Sequence, residues 1–141
     1  MKTVYILCGG PSSEHDIALR SALNIVKNLS DEKYKKKIIY IDKEGKFSES
    51  FTDFDLSNEF SLVREINKSK QESIAGFLLD TAKENLDETI ILPVVHGTYG
   101  EDGTIQGFLD AVGLSYIGNG LLASAICMDK VTSNDIFEKS K

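Results

Sequence analysis

A glycine-rich turn that carries two carboxylates follows the first apolar run of the sequence. The run VYILC leads into GGPSSEHD at residues 9–16, and the next segment, IALRSALNIVKNL, has helical spacing. A strand-to-helix turn of this kind usually binds phosphate, because free N–H groups and the helix dipole attract an anion. Here Glu14 and Asp16 take the place of the anion, and Ser13 with Asp16 fits a capping box. A carboxylate in this position suits a cation, and the ammonium group of a small molecule is the candidate.

A second loop of similar character follows a later apolar run. The run ETIILPVV at 88–95 predicts a buried strand, and it ends at His96 and the loop HGTYGEDG. In open parallel sheets, ligands bind beyond the carboxyl ends of the strands. If the two strands are neighbours, five ionisable side chains surround one crevice: Glu14, His15, His96, Glu101 and Asp102.

Simpler interpretations of the same residues stay open at this point. In one such interpretation Glu14 is a favourable acid in the first turn of a helix, worth about a few tenths of a kcal/mol, and Asp102 is a residue that shapes a turn. Three glycines around two acids make the second loop costly to order, which favours a function. A dinucleotide site is disfavoured because the second and third glycines of its motif are missing. No serine-hydrolase elbow and no metal-ligand spacing occurs, so no metal ligand is predicted.

The elements that must position these loops follow from hydrophobic periodicity. Residues 3–8 predict a strand and 34–42 a second one; with the helix between them they form a βαβ unit and imply a parallel sheet. That helix has one apolar face: Ile17, Ala18, Ala22, Ile25, Val26 and Leu29. Residues 46–88 show only weak helical periodicity, at 61–68 and 73–86, and are given no chemistry. The pattern predicts an α/β fold, a Rossmann-like, doubly wound, mostly parallel sheet flanked by helices.

The last third of the sequence predicts more helices. The first has Ile105, Phe108, Leu109 and Val112 on its apolar face, and Gly107 within it indicates close backbone packing. LSYIG predicts a short strand and NGLLASAICM a helix. The final segment, KVTSNDIFEKSK, predicts an amphipathic helix with Ile136 and Phe137 facing inward.

Composition limits the class of protein. With 141 residues, 41% of them hydrophobic, the chain is expected to form one soluble domain, and it has no apolar run of the roughly 20 residues that a membrane span needs. The net charge of −6 disfavours a nucleic-acid partner. Cys8 and Cys127 lie in apolar surroundings and are expected to be buried, reduced thiols, which indicates a cytoplasmic protein. The lysines at 35–37 are expected to be solvated at the start of a strand.

Two long motifs, in order, resemble the N-terminal domain of D-alanine–D-alanine ligases. They are GGPSSEHDIALRSA and LPVVHGTYGEDGTIQGFLDAVGLSYIGNGLLASAICMDK, and the likeness covers residues 3–30 and 89–140. The resemblance implies the pre-ATP-grasp fold and an ATP-dependent ligase that joins two D-alanines for cell-wall peptidoglycan. In that family ATP phosphorylates the carboxylate of the first D-alanine, and the amine of the second attacks the acyl phosphate. Ala18 stands where the family commonly has serine.

The resemblance also implies roles for particular residues. Glu14 contacts the ammonium of the first D-alanine, and His96 lies near the substrate carboxylate or the acyl phosphate, so both are expected to be catalytic and substrate-binding. Lys130 of the MDK motif is expected near the ATP phosphates. Glu101 and Asp102 are expected to be mainly structural, closing their loop.

The family's ATP-grasp portion, with its magnesium ligands, would follow residue 141. We therefore expect a substrate-binding domain at 1–129 and, at 130–141, a helix that leads toward an absent ATP-grasp domain. The isolated chain is expected to be inactive, to bind neither ATP nor Mg²⁺ tightly, and to form a homodimer. Two alternatives remain, namely a D-alanine–D-lactate or D-serine ligase and a non-catalytic module that binds a small ligand.

Overall fold

A computed structural model describes residues 1–64, 66 and 74–140 of the chain. The described part contains three strands and five α-helices, together with two short 3-10 helices at Glu59–Leu62 and Leu86–Glu88. In chain order the strands and α-helices are β1 (Lys2–Gly9), α1 (His15–Asn28), β2 (Tyr34–Ile41), α2 (Ile74–Thr81), β3 (Thr89–Val95), α3 (Thr104–Ala111), α4 (Leu121–Met128) and α5 (Lys130–Lys139).

The three strands form a parallel sheet in the order β2-β1-β3. Ile6 at the centre of β1 lies opposite Ile38 of β2 and Leu92 of β3. Because both faces of a parallel sheet are covered by helices, its strands are apolar almost throughout, and β1 is buried from Thr3 to Gly9. The predicted βαβ unit and its parallel pairing are confirmed.

Helices cover the sheet on both sides, as the predicted doubly wound α/β class requires. Leu19 and Leu23 of α1 pack against Ile6 on one face. On the other face, Phe77 of α2 and Ile105 of α3 share a second core with the remaining side chains of the sheet. Gly107 of α3 packs closely, as expected, because a Cβ there would lie 2.5 Å from Leu121 Cδ1.

Several predictions about the later elements are wrong. LSYIG forms a single bridge between Tyr116 and Ile91 and no strand, because only the backbone groups on either side of Tyr116 bond to Ile91. Val112 is the C-cap that follows the last residue of α3, and its side chain is exposed. Ile136 and Phe137 of α5 are also exposed, Phe137 to 63%, because among the described elements α5 packs mainly on α4.

Two further predictions fail on burial. Cys8 is buried, and its burial raises the pKa of the thiol to about 12, but Cys127 is exposed on α4. Ile17 is exposed because it lies on the opposite side of α1 from the buried face, which begins in the same turn with His15 and Ala18.

The lysines of β2 are not simply solvated, contrary to expectation. The side chain of Lys36 is only 8% exposed, and its Nζ lies 2.6 Å from a carboxylate oxygen of Asp31. The same ammonium donates to the carbonyl oxygens of Val26 and Leu29. These are carbonyls at the C-terminal end of α1, where a cation is favoured by the helix dipole. Lys36 therefore joins β2 to the end of α1.

Lys37 is the centre of a polar cluster that joins β1, β2 and α2. Its Nζ donates to Tyr5 Oη at 3.0 Å and lies 2.9 Å from carboxylate oxygens of Asp80 and Glu84. Tyr5 and Ser50 also donate to Asp80. Burial by itself raises the pKa of Asp80, but these hydrogen bonds outweigh burial and lower it. The hydrogen bond from Lys37 is the main cause that lowers the pKa of Glu84.

Removing the charge of Asp80 is expected to destabilise the domain and to make its free energy of unfolding less dependent on pH in the acidic range. A carboxylate whose pKa is lowered by folding stabilises the protein above its unfolded pKa, and this contribution is lost as pH falls through the folded value. Asp80→Asn should lower the free energy of unfolding by about 2 kcal/mol at neutral pH, the typical size of a charged hydrogen bond. Urea denaturation at pH 7 and again at about pH 2.5 measures both effects, because folding lowers the pKa of Asp80 below its ordinary value of 3.8.

Asp87→Asn is the matched control, because Asp87 is exposed on the nearby 3-10 helix and forms no ion pair with the described residues. It should leave the urea midpoint almost unchanged. If Asp80→Asn kept both the native midpoint at pH 7 and the native loss of stability between pH 7 and about pH 2.5, the cluster would not contribute to stability.

Candidate functional site

The two loops singled out by their acids emerge side by side from the sheet. β1 ends at Gly9 and β3 at Val95, and these two residues are paired in the parallel register. Residues 10–14 then form the first loop and residues 96–103 the second loop. Since parallel neighbours end at the same edge, the condition on which the predicted crevice depended is confirmed.

Ser12 joins the first loop to the second. Its Oγ donates to the carbonyl oxygen of His96 at 2.7 Å and accepts from the backbone N–H of Glu14 at 3.1 Å. The predicted capping box is therefore wrong. Glu14 is the N-cap of α1, without a side-chain cap, and no hydrogen bond within the described part of the chain joins Ser13 to Asp16. The hydroxyl that satisfies an N–H donor comes from Ser12, one residue earlier.

The carboxylate of Glu14 lies against the backbone of the second loop. A Cβ placed on Gly97 would lie 3.4 Å from Glu14 Oε1 and 3.2 Å from Ser12 Oγ. Gly97 also has a φ of 70°, a conformation that glycine adopts without strain. Among the described residues, no lysine, arginine or histidine forms an ion pair with Glu14. A half-buried carboxylate thus stands beside residues 96 and 97 with its charge available to a cation.

The other two acids hold the second loop in shape, as expected. Glu101 accepts from the N–H of Gly97 at 2.7 Å. Asp102 accepts from the N–H groups of Tyr99 at 2.8 Å and Thr104 at 3.0 Å. Burial alone raises the pKa of Asp102, but these backbone donors outweigh it and lower the pKa. The bond to Tyr99 also supports its left-handed backbone, with a φ of 79°.

His96 lies where the second loop meets a cavity. Its Nε2 is 3.1 Å from the Oγ of Ser21 on α1. The cavity has a volume of about 620 Å³ and lies among β3, α1, α3 and α4. Gln106 of α3 lines it and donates from Nε2 to the carbonyl oxygen of Gly100 at 2.8 Å. His96 therefore lies between the loops and a cavity that is open to solvent, and Glu14 is not among the residues that line this cavity.

His15 does not face the crevice, contrary to the expectation that it would help to surround it. The ring is buried, with Nδ1 2.7 Å from the carbonyl oxygen of Gly10 and Nε2 3.4 Å from Tyr40 Oη. The ring packs edge-on against the ring of Tyr40 on β2, so the side chain faces inward. Its role in this fold is structural.

Lys130 is the first residue of α5 and is exposed. The preceding Asp129 caps the helix by accepting from the N–H groups of Val131 and Thr132. Within the described part of the chain, no hydrogen bond or ion pair connects Lys130 with Glu14 or His96. The structure thus brings together two of the three expected site residues, Glu14 and His96.

Three residues of the site were not found from the sequence: Ser12, Ser21 and Gln106. Serines are common near helix starts and glutamine on helix surfaces, so neither type is a signal by itself. Their contacts depend on the adjacency of β1 and β3 and on the packing of α1 and α3, which residue type and spacing do not reveal.

Comparison with known proteins decides the family. The family model described as the D-ala D-ala ligase N-terminus matches residues 3–119. The chain belongs to the D-alanine–D-alanine ligase N-terminal domain family. A D-alanine–D-alanine ligase from Finegoldia magna is 41% identical over 142 residues, a match that covers 99% of this chain and 39% of that protein. The chain thus spans about two-fifths of the length of the curated relatives it matches.

Solved structures of the family have the same fold. The D-alanine–D-alanine ligase from Coxiella burnetii matches with a TM-score of 0.72 and 29% identity, covering 99% of this chain and 42% of that one. The D-alanine–D-alanine ligase from Bacillus anthracis in complex with ATP matches with a TM-score of 0.63 and 28% identity, over 99% and 36% of the two chains. Among the described helices of this family member, none is long and apolar enough to cross a membrane.

Proposed function

We propose that this chain is the domain that binds the first D-alanine in an ATP-dependent D-alanine–D-alanine ligase. One observation carries the proposal. Ser12 joins the two loops so that a carboxylate with no ion-pair partner among the described residues, Glu14, and an imidazole, His96, lie at one edge of the sheet. An amino acid has an ammonium and a carboxylate on one carbon atom. Glu14 is suited to bind the ammonium, and His96 is suited to bind the carboxylate.

Glu14 is assigned the ammonium of the first D-alanine. Its carboxylate has no cationic partner among the described residues, and charge-assisted hydrogen bonds to an ammonium are stronger than neutral ones. Ser12 accepts from the backbone N–H of Glu14, and the Glu14 carboxylate lies beside Gly97, at the mouth of the second loop.

His96 is assigned the anionic end of the same substrate. The γ-phosphoryl group of ATP is transferred to the carboxylate oxygen of the first D-alanine, and ADP leaves. The amine of the second D-alanine then attacks the acyl carbon, a C–N bond forms, and phosphate leaves. An imidazole N–H beside these oxygens stabilises the negative charge that they carry in each step.

Lys130 is assigned to the phosphates of ATP. It begins α5, where the helix dipole disfavours a cation, so an anionic partner would explain its position. The described residues provide no cluster of three metal-ligating side chains, and the magnesium that such ligases use is assigned to the ATP-grasp portion of the enzyme. The product, D-alanyl-D-alanine, would enter cytoplasmic peptidoglycan synthesis, and the enzyme would act as a homodimer.

The test is to supply the missing portion. Residues 1–141 are joined to the part of the Finegoldia magna ligase that the match does not cover, and this protein is called the fused ligase. It should release phosphate from ATP only when D-alanine is present. The isolated chain should release none, because phosphoryl transfer depends on positioning the nucleotide with several cationic donors and magnesium. D-alanine-dependent turnover by residues 1–141 alone would contradict this division of roles.

Binding to the isolated chain gives a second test that does not depend on the fusion. D-alanine should shift the amide NMR signals of residues 12–14 and 96–97, and propionate, which lacks the ammonium, should shift them much less. Equal shifts with both compounds, or none with D-alanine at saturating concentration, would refute the assignment of Glu14.

A further inference from the structure

We propose that Ser21 is a positioning residue for His96. Its hydroxyl donates to Nε2, so that the neutral imidazole presents Nδ1–H to the anionic end of the substrate. This inference rests on the proposed function for the identity of the anion. The bond between Ser21 and His96 is itself open to a test that involves no activity.

The geometry comes from a single helix. Glu14 is the N-cap of α1 and Ser21 lies seven residues later, two turns along the same face. Glu14 Oε1 lies against Gly97, while Ser21 Oγ lies 3.1 Å from His96 Nε2. With Ser12 on its carbonyl oxygen and Ser21 on its ring, His96 is held at two points by the first loop and α1.

The direction of the hydrogen bond decides what His96 offers. In a neutral imidazole one nitrogen donates and the other accepts, and the partner of one nitrogen sets the state of the other. If Nε2–H donated to Ser21, Nδ1 would present a lone pair, which repels a carboxylate or phosphate oxygen. If Ser21 donates to Nε2, Nδ1 carries the proton and attracts the anion. Within the described part of the chain, no hydrogen bond engages Nδ1 of His96.

The tautomer of His96 can be measured by NMR in the isolated chain. The sequence contains only two histidines, so a long-range ¹⁵N–¹H spectrum of the imidazoles has two sets of signals. At a pH where both rings are neutral, His96 should be mainly the Nδ1–H tautomer in the native chain. Ser21→Ala should shift it toward Nε2–H, and Ser21→Thr, which keeps the hydroxyl, should restore the native pattern.

His15 is an internal reference in the same spectrum. Its Nδ1 faces the carbonyl oxygen of Gly10, which can only accept, so His15 should stay in the Nδ1–H form in every variant. A change at His15 would reveal a disturbance of α1 as a whole. The proposal would be overturned if His96 in the native chain were mainly the Nε2–H tautomer. It would also be overturned if Ser21→Ala left the His96 signal unaltered.

Turnover by the fused ligase tests the positioning role. Ser21→Ala should lower kcat/KM for D-alanine by roughly two- to tenfold, the range for one neutral hydrogen bond, and Ser21→Thr should recover most of the loss. Ser124→Ala is the matched control, because Ser124 lines the same cavity and no side-chain hydrogen bond joins it to His96.

The outcomes separate the two proposals. Native kcat/KM in Ser21→Ala together with a changed tautomer would overturn the positioning role alone. A fused ligase without D-alanine-dependent turnover would count against the proposed function, while the imidazole spectra would still decide whether Ser21 sets the tautomer of His96.

Discussion

Replacing Glu14 with glutamine is expected to lower kcat/KM for D-alanine in the fused ligase by roughly ten- to a hundredfold or more. The substitution keeps the shape of the side chain and removes the charge that faces the substrate ammonium. A hydrogen bond to a charged group is worth about 1.5–3 kcal/mol, and each 1.4 kcal/mol corresponds to about a factor of ten. Initial rates of phosphate release over a range of D-alanine concentrations measure the loss.

Asp16→Asn is the matched control for this variant. Asp16 is the acid in the first turn of α1, and it is exposed. If Glu14 acted only through the helix dipole, both substitutions would have small and similar effects, a few tenths of a kcal/mol each. Native kinetics in Glu14→Gln, or an equal loss in Asp16→Asn, would show that Glu14 does not contact the substrate.

Alanine at Gly100 is expected to destabilise the domain by about 3 kcal/mol or more. A Cβ at this position would lie 1.9 Å from the carbonyl oxygen of Val95 and 2.4 Å from its carbonyl carbon. These are backbone atoms at the end of β3, so the second loop or the strand must move. Forcing extra atoms into a packed site typically costs about 1–3 kcal/mol, and more where no flexible side chain can yield. Urea denaturation of the isolated chain measures the change.

Gly76→Ala should change stability in the opposite direction. Gly76 is exposed within α2, and apart from its chain neighbours and its own helix backbone no described atom lies within 4 Å of the position where its Cβ would be. Alanine in a helix is favoured over glycine by roughly 0.5–1 kcal/mol, because it reduces the freedom of the unfolded chain. A Gly100→Ala variant as stable as the native chain would mean that the second loop does not pack against Val95 as described.

Much of the sheet was predictable because its signals are local. The apolar runs of β1, β2 and β3 and the helical spacing of α1 are read from neighbouring residues, and all four elements occur as expected. Glu14 and His96 were found in the same way, since each follows the end of a buried strand in a loop rich in glycine. That they lie at one edge of the sheet follows from parallel pairing, which the βαβ pattern indicated.

The burial of side chains and their ion-pair partners were harder to predict, because amphipathic spacing defines an apolar face of a helix but not the surface that covers it. The spacing of Ile136 and Phe137 is that of a buried face, yet both are exposed in the described structure. The charges of Lys36 and Lys37 favour solvent by residue type. The folded chain nevertheless places the C-terminal end of α1 against Lys36, and Asp80 of α2 beside Lys37.

The sequence by itself determined the α/β class, the order of the main elements and the two loops that carry Glu14 and His96, because these depend on residue type and short-range spacing. Only the tertiary structure decided which hydroxyls hold those loops. Ser12 and Ser21 lie 84 and 75 residues from His96 along the chain. Their hydrogen bonds form because β1 pairs with β3 and α1 packs across both, a packing of distant segments that short-range spacing does not reveal.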